Sequence, residues 1–242
     1  MAMGSEFSSP ASMRRLETFP IKATYALIGL NALIFLGDYL SGRMFFRWGA
    51  LMPAAVIVFN QWWRVITAGF LHADITHIIF NLYALFGLGM LMERFFGTRR
   101  FLAIYMTGLL GSSALVTLFS PMLVPTLGAS GAIMGVLGGL VVYYAIYKNR
   151  VVRGQKMLSE MVQMAIINIG IGILPGISWW GHLGGFLGGA LTGWFLCPRY
   201  NDASYAALLR VQPITPEARS GWLFSLIGWL ALLGVAALTR GM

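Results

Sequence analysis

Seven stretches of about 20 mostly apolar residues, with the basic residues falling between them, constrain this chain more than any other feature. A hydrocarbon layer about 30 Å thick takes about 20 helical residues to cross, and within it every backbone polar group must be paired inside the chain. The stretches run over about 23–41, 74–92, 101–120, 130–147, 158–174, 179–197 and 221–238, which predicts an all-α polytopic membrane helix bundle. Only 10% of the 242 residues are charged, against roughly 25% in soluble domains. The formal charge of +9 would suit nucleic acid, but the basic residues form no stripe with interleaved aromatics, so no nucleic-acid partner is expected. The lipid bilayer is the expected surrounding. A single cysteine, Cys197, excludes an internal disulfide and a cysteine metal cluster, and no metal or other cofactor is expected.

The opening "MAMGSEF" reads as a cloning scar, and residues 1–10 are set aside from the fold. No cleavable signal peptide is visible, and the first apolar run is long enough to remain as an anchor. Residues 11–197 are expected to form a core with six spanning helices, followed by a cytoplasmic linker over 198–220 and a seventh spanning helix within 221–242. Between the first two spans, about 42–72, "SGRMFFRWGALMPAAVIVFNQWWRVITAGFLH" is too interrupted to span and too rich in Trp, Phe and Met for a water-exposed loop. It is read as a structured interfacial hairpin with Trp62 and Trp63 at headgroup depth. Arg14, Arg15, Lys22, Arg94, Arg99, Arg100, Lys148, Arg150, Arg153, Lys156, Arg199, Arg210 and Arg219 fall on one side of the spans. Arg43, Arg47, Arg64 and Arg240 fall on the other. The positive-inside rule then places the N-terminus in the cytoplasm and the C-terminus outside.

That orientation brings Ser130, His182, His77 and Asn81 to the outer half of the membrane, with His72 at the entrance of the second span. Polar groups at this depth usually face a bundle interior or a wet cavity. Taken singly, each has a packing explanation: Ser130 in a small-residue seam with Gly131 and Gly135, the others as hydrogen-bonding glue between helices. Taken together, a hydroxyl at a helix start and three polar side chains at one level also suit nucleophilic chemistry. The sixth span carries Gly181, Gly185, Gly189 and Gly193 at intervals of four, and the fourth carries Gly131, Gly135 and Gly139. Contact between these ridges would set Ser130 opposite His182.

In this combination the sequence resembles the rhomboid intramembrane serine proteases of the bacterial six-plus-one form. The serine motif stands as Gly128-Ala129-Ser130-Gly131, the histidine–asparagine element as His72, His77 and Asn81, and the second catalytic element as Gly181-His182-Leu183-Gly184-Gly185. The pairs Trp63-Arg64 and Glu93-Arg94 also fit. The resemblance implies a six-helix core plus a seventh helix, and cleavage of substrate transmembrane segments near their outer ends. It implies a Ser130–His182 dyad without an acid; Asp74 is expected to end the loop or cap the helix instead. The His77 and Asn81 side chains and the Ser130 backbone N–H are the implied oxyanion donors, with Gly128, Gly131 and Gly185 in support and His72 structural or gating. Where well-known bacterial members stack an aromatic residue on the catalytic histidine, this chain has Met134, a more flexible packing partner. The resemblance also implies a bacterial inner-membrane location. Two other readings are an inactive relative that binds membrane clients, which typically lacks the serine or histidine, and a small transporter, for which repeats between the halves are missing.

Overall fold

The computed structural model of the chain describes residues 21–151, 153–174, 176–198 and 216–241. The residues set aside at 1–10, Arg14 and Arg15, and most of the expected linker 198–220 lie outside them. In chain order the helices are α1 (Ala23–Leu40), α2 (Met44–Gly49), α3 (Pro53–Ile57), α4 (Arg64–Thr67), α5 (Ile75–Ala84), α6 (Met90–Phe96), α7 (Thr98–Phe119), α8 (Ser130–Tyr147), α9 (Gly154–Ile171), α10 (Trp179–Leu196) and α11 (Pro216–Arg240). A π-turn over Leu85–Gly89 joins α5 to α6 as one rod, Ile75–Phe96.

Between helices in lipid the hydrophobic effect gives no attraction, so association rests on close backbone packing and hydrogen bonds. The glycines supply the first. A Cβ on Gly189 would overlap the backbone of Gly135, one on Gly185 the carbonyl of Gly131, and one on Gly193 would stand 2.7 Å from Gly139 Cα. The expected contact between the fourth and sixth spans is therefore made, backbone against backbone. Helix α7 is a third member of the seam: a Cβ on Gly108 would stand 2.7 Å from Gly135 Cα, and one on Gly111 would overlap the Gly184 carbonyl. These helices are central. In α7 and α8, 72% of the apolar window is buried, against 28% in α1 and α11 and 33% in Ile75–Phe96. The outer helices turn Leu33 and Leu36, Phe80 and Tyr83, Phe224 and Ile227 outward, an apolar surface suited to lipid.

Among the described residues, five helices are long and apolar enough to cross a membrane; α9 and α10 are not among them. Helix α9 carries Lys156, Glu160, Gln163 and Asn168, and starts at Gly154 rather than 158. Helix α10 is diluted by six glycines at 181, 184, 185, 188, 189 and 193, the same residues that seat it in the centre. The second rod runs on to Phe96, past the expected end at 92, because the π-turn keeps the chain helical through Gly87 and Gly89.

The segment 42–72, expected as an interfacial hairpin, is built of short helices. Arg64 pins it, donating to Gln61 Oε1 at 2.6 Å, the Ala50 carbonyl at 2.6 Å and the Arg47 carbonyl at 2.8 Å. Trp63 Nε1 donates to the Trp48 carbonyl at 2.9 Å, and the two indoles stack. Four backbone hydrogen bonds then tie this segment to the stretch between α7 and α8, one of them from Ala54 N to the Met122 carbonyl at 2.9 Å. Thr126 N donates to the Leu51 carbonyl at 2.7 Å, Leu51 N to the Thr126 carbonyl at 2.9 Å, and Gly128 N to the Ala68 carbonyl at 2.9 Å.

Candidate active site

Helix α8 starts at Ser130 behind an alanine, Ala129, and no side chain caps it. Alanine is among the poorest N-cap residues. The first backbone bond into the helix is from Ile133 N to the Ala129 carbonyl, so the N–H groups of Ser130, Gly131 and Ala132 have no intrahelical partner. Such a terminus favours an anion. Gly128 turns the chain into the helix with φ +122°. A Cβ there would stand 2.8 Å from Cε1 and Nε2 of His77 and 3.7 Å from Ser130 Oγ. The hydroxyl and the His77 ring edge thus border one small space that only glycine leaves open.

His182 lies in the first turn of α10, whose N-cap Ser178 accepts from Gly181 N at 3.0 Å. It is buried, and its chain neighbours Gly181 and Gly185 lie against α8. A Cβ on Gly131 would come within 3.6 Å of the Gly181 carbonyl, and Gly185 touches Gly131. Ser130 and His182 are each one residue from this contact. His182 Nδ1 lies 2.7 Å from the backbone carbonyl of Asn168 in α9. A carbonyl only accepts, so the neutral ring carries its proton on Nδ1, and Nε2 keeps its lone pair.

His77 has the other arrangement. Its Nδ1 accepts from Ala73 N at 3.4 Å, which puts the proton on Nε2, the atom facing Gly128. Asp74 caps α5, accepting from His77 N at 2.8 Å, which fixes the helix start and hence the phase of His77 and Asn81. Asn81 is buried; its amide donates to the His77 carbonyl at 2.9 Å, and an amide has a second N–H. His72 lies before the helix, 1% exposed, its ring edge-on to His77 at 5.2 Å. Met134 is buried in the core one turn beyond Ser130.

Two polar groups escaped sequence reasoning. One is the Asn168 carbonyl, a backbone atom that no residue type announces. The other is Ser112 of α7, whose hydroxyl lies against Gly131 and 3.2 Å from the Cβ position of Gly181. Together the groups amount to a hydroxyl, a ring nitrogen able to take a proton, and several N–H donors beside a helix start. That set suits acyl transfer.

Residues 59–199 match the Rhomboid domain family. "Rhomboid protease GluP" of Bacillus subtilis (strain 168) is 36% identical over 172 residues, 69% of this chain and 33% of that protein. "RHOMBOID-like protein 4" of Arabidopsis thaliana is 34% identical over 155 residues, 62% of this chain and 38% of that one. YdcA of Bacillus subtilis is 34% identical over 155 residues, 60% of this chain and 72% of its own length. The chain thus spans only about a third of the length of the first two relatives.

Proposed function

The chain belongs to the rhomboid family, and from that premise we propose that it is an intramembrane serine endopeptidase working through a Ser130–His182 dyad. Its substrates are transmembrane segments of other membrane proteins, cut near their outer ends. The observation that carries this reading is the backbone contact of Gly131 with Gly181 and Gly185, which leaves the serine and the histidine flanking one seam.

In the first half-reaction Ser130 Oγ attacks the scissile carbonyl carbon while His182 Nε2 takes the hydroxyl proton. The carbonyl oxygen becomes an oxyanion, stabilised by the Ser130 N–H, His77 Nε2–H and the second N–H of Asn81. As the oxyanion collapses, the C–N bond breaks and His182 returns the proton to the leaving amine. A water molecule then attacks the acyl-enzyme ester, His182 again acting as base, and releases the acid and the serine. Each oxyanion donor is worth about 10²–10³ in rate. A helical substrate has its amides paired internally, so it must unwind locally before attack. Small and helix-breaking residues near the cut should therefore favour cleavage. The asymmetry of Lys and Arg supports a cytoplasmic N-terminus and an outer C-terminus.

The test is cleavage of a tagged transmembrane substrate by the purified chain in detergent. Ser130→Ala and His182→Ala should each abolish it. Cleavage at the same bond by Ser130→Ala would end the proposal.

A further inference from the structure

In serine hydrolases with a triad, a carboxylate holds the histidine in the tautomer that can act as base. No carboxylate hydrogen-bonds His182 among the described residues; its Nδ1 partner is the Asn168 carbonyl at 2.7 Å. That carbonyl is free for a local reason. At the C-terminal end of α9 the backbone bonds tighten from i−4 to i−3: Gly172 N donates to the Ile169 carbonyl at 3.1 Å, Ile173 N to Gly170 at 3.1 Å and Leu174 N to Ile171 at 2.9 Å. In an α-helix Gly172 N would have bonded to Asn168; here the tightened turn leaves that acceptor orphaned. The Asn168 side chain does not compete, since its amide donates back to the Met164 carbonyl at 2.8 Å.

The carbonyl reaches His182 only because the end of α9 lies almost on the start of α10. A Cβ on Gly172 would stand 2.6 Å from Trp179 Cα and 2.8 Å from Trp179 N, backbone atoms that cannot swing aside. Gly172 has φ −59°, open to any residue, so its glycine is required by this approach and not by its conformation. By contrast, a Cβ on Gly170, two residues earlier, would meet nothing within 4 Å.

The geometry points to the Asn168 backbone carbonyl as the orienting group of the dyad, holding the His182 proton on Nδ1, with Gly172 as the positioning residue that lets the carbonyl reach it. The inference rests on the dyad reading of Ser130 and His182. It makes the end of α9 part of the catalytic apparatus without a side chain that touches the reacting atoms.

The chain has only three histidines, His72, His77 and His182. Selective ¹⁵N-histidine labelling of the full chain in detergent, assigned by single replacements, therefore reads the His182 tautomer directly. The neutral ring should show Nδ1 protonated and Nε2 bare. Gly172→Ala should mix the two tautomers and lower kcat about 10²-fold, the scale of a small misplacement, with KM changed less than about twofold. Gly170→Ala should keep the wild-type spectrum and kcat. A wild-type ring with its proton on Nε2 overturns the inference whether or not Gly172→Ala folds. So does a folded Gly172→Ala protein with an unchanged spectrum and rate. A role of Gly172 in packing alone lowers activity but leaves the tautomer of the folded protein as it was, and that result too overturns it. Cleavage by Ser130→Ala would instead remove the dyad itself, a separate outcome.

Discussion

Replacing Glu93 by alanine should loosen the first spanning helix. Glu93 is fully buried in α6 and accepts five hydrogen bonds, four from Lys22, Ala23 and Thr24 at the start of α1 and one from nearby Thr98. The donors are the backbone N–H groups of Lys22 (3.1 Å), Ala23 (2.9 Å) and Thr24 (2.9 Å) and the hydroxyls of Thr24 (2.8 Å) and Thr98 (2.7 Å). A carboxylate thus stands in for the cap that Lys22 cannot supply at the start of α1, where the helix dipole also favours it. In Glu93→Ala the two hydroxyls can turn to nearby carbonyls, and Lys22 N is only part-buried. Ala23 N and Thr24 N stay buried with no acceptor, at about 1–3 kcal/mol each. Helix α1 has little else to hold it, with only Ala23, Thr24, Leu27, Asn31 and Asp38 buried. A loss of about 2–6 kcal/mol is expected, with Glu93→Gln between this and wild type. Equilibrium unfolding of the detergent-solubilised protein measures it, and limited proteolysis should show α1 cut first. A Glu93→Ala protein within about 0.5 kcal/mol of wild type would refute the reasoning.

Arg240 at the end of α11 donates to the carbonyls of Thr117 (2.6 Å) and Ser120 (2.9 Å) at the C-terminal end of α7. Arg240→Ala should lower stability in thermal unfolding by about 1–2 kcal/mol. Gly128→Ala must accommodate φ +122° and a Cβ 2.8 Å from the His77 ring, so cleavage should fall by about 10² or more with the fold retained, as circular dichroism would show. Burial, and then the neighbouring His77, push the His72 imidazole down to about 4. An unfolded histidine takes up its proton near pH 6.5. Stability should therefore be level above about pH 6.5 and decline as the pH falls toward 4, by up to about 3 kcal/mol, and His72→Gln should flatten that decline in denaturant titrations across pH.

Much of the bundle could be read from the residues because membrane helices obey strict length and polarity rules. Ser130 and Trp179 open α8 and α10 where expected, and the glycine ridges at 131, 135 and 139 and at 185, 189 and 193 do meet. Gly108 and Gly111 of α7 also join the seam, but two glycines three apart make no conspicuous ridge in the sequence. Glu93 stands beside Arg94 in the sequence, and nothing local reveals that its buried backbone partners lie about 70 residues upstream. The Asn168 carbonyl was beyond reach of the sequence, because its availability depends on how one helix end tightens. Asp74 behaved as its position beside a helix start suggests, as a cap.

Nucleophile reactivity can be measured without knowing a client protein. Incubation with a fluorophosphonate, followed by mass spectrometry of the digested chain, should place the adduct on Ser130, with labelling reduced by about 10² or more in His182→Ala. An adduct on another residue, or undiminished labelling of Ser130 in His182→Ala, would contradict the dyad.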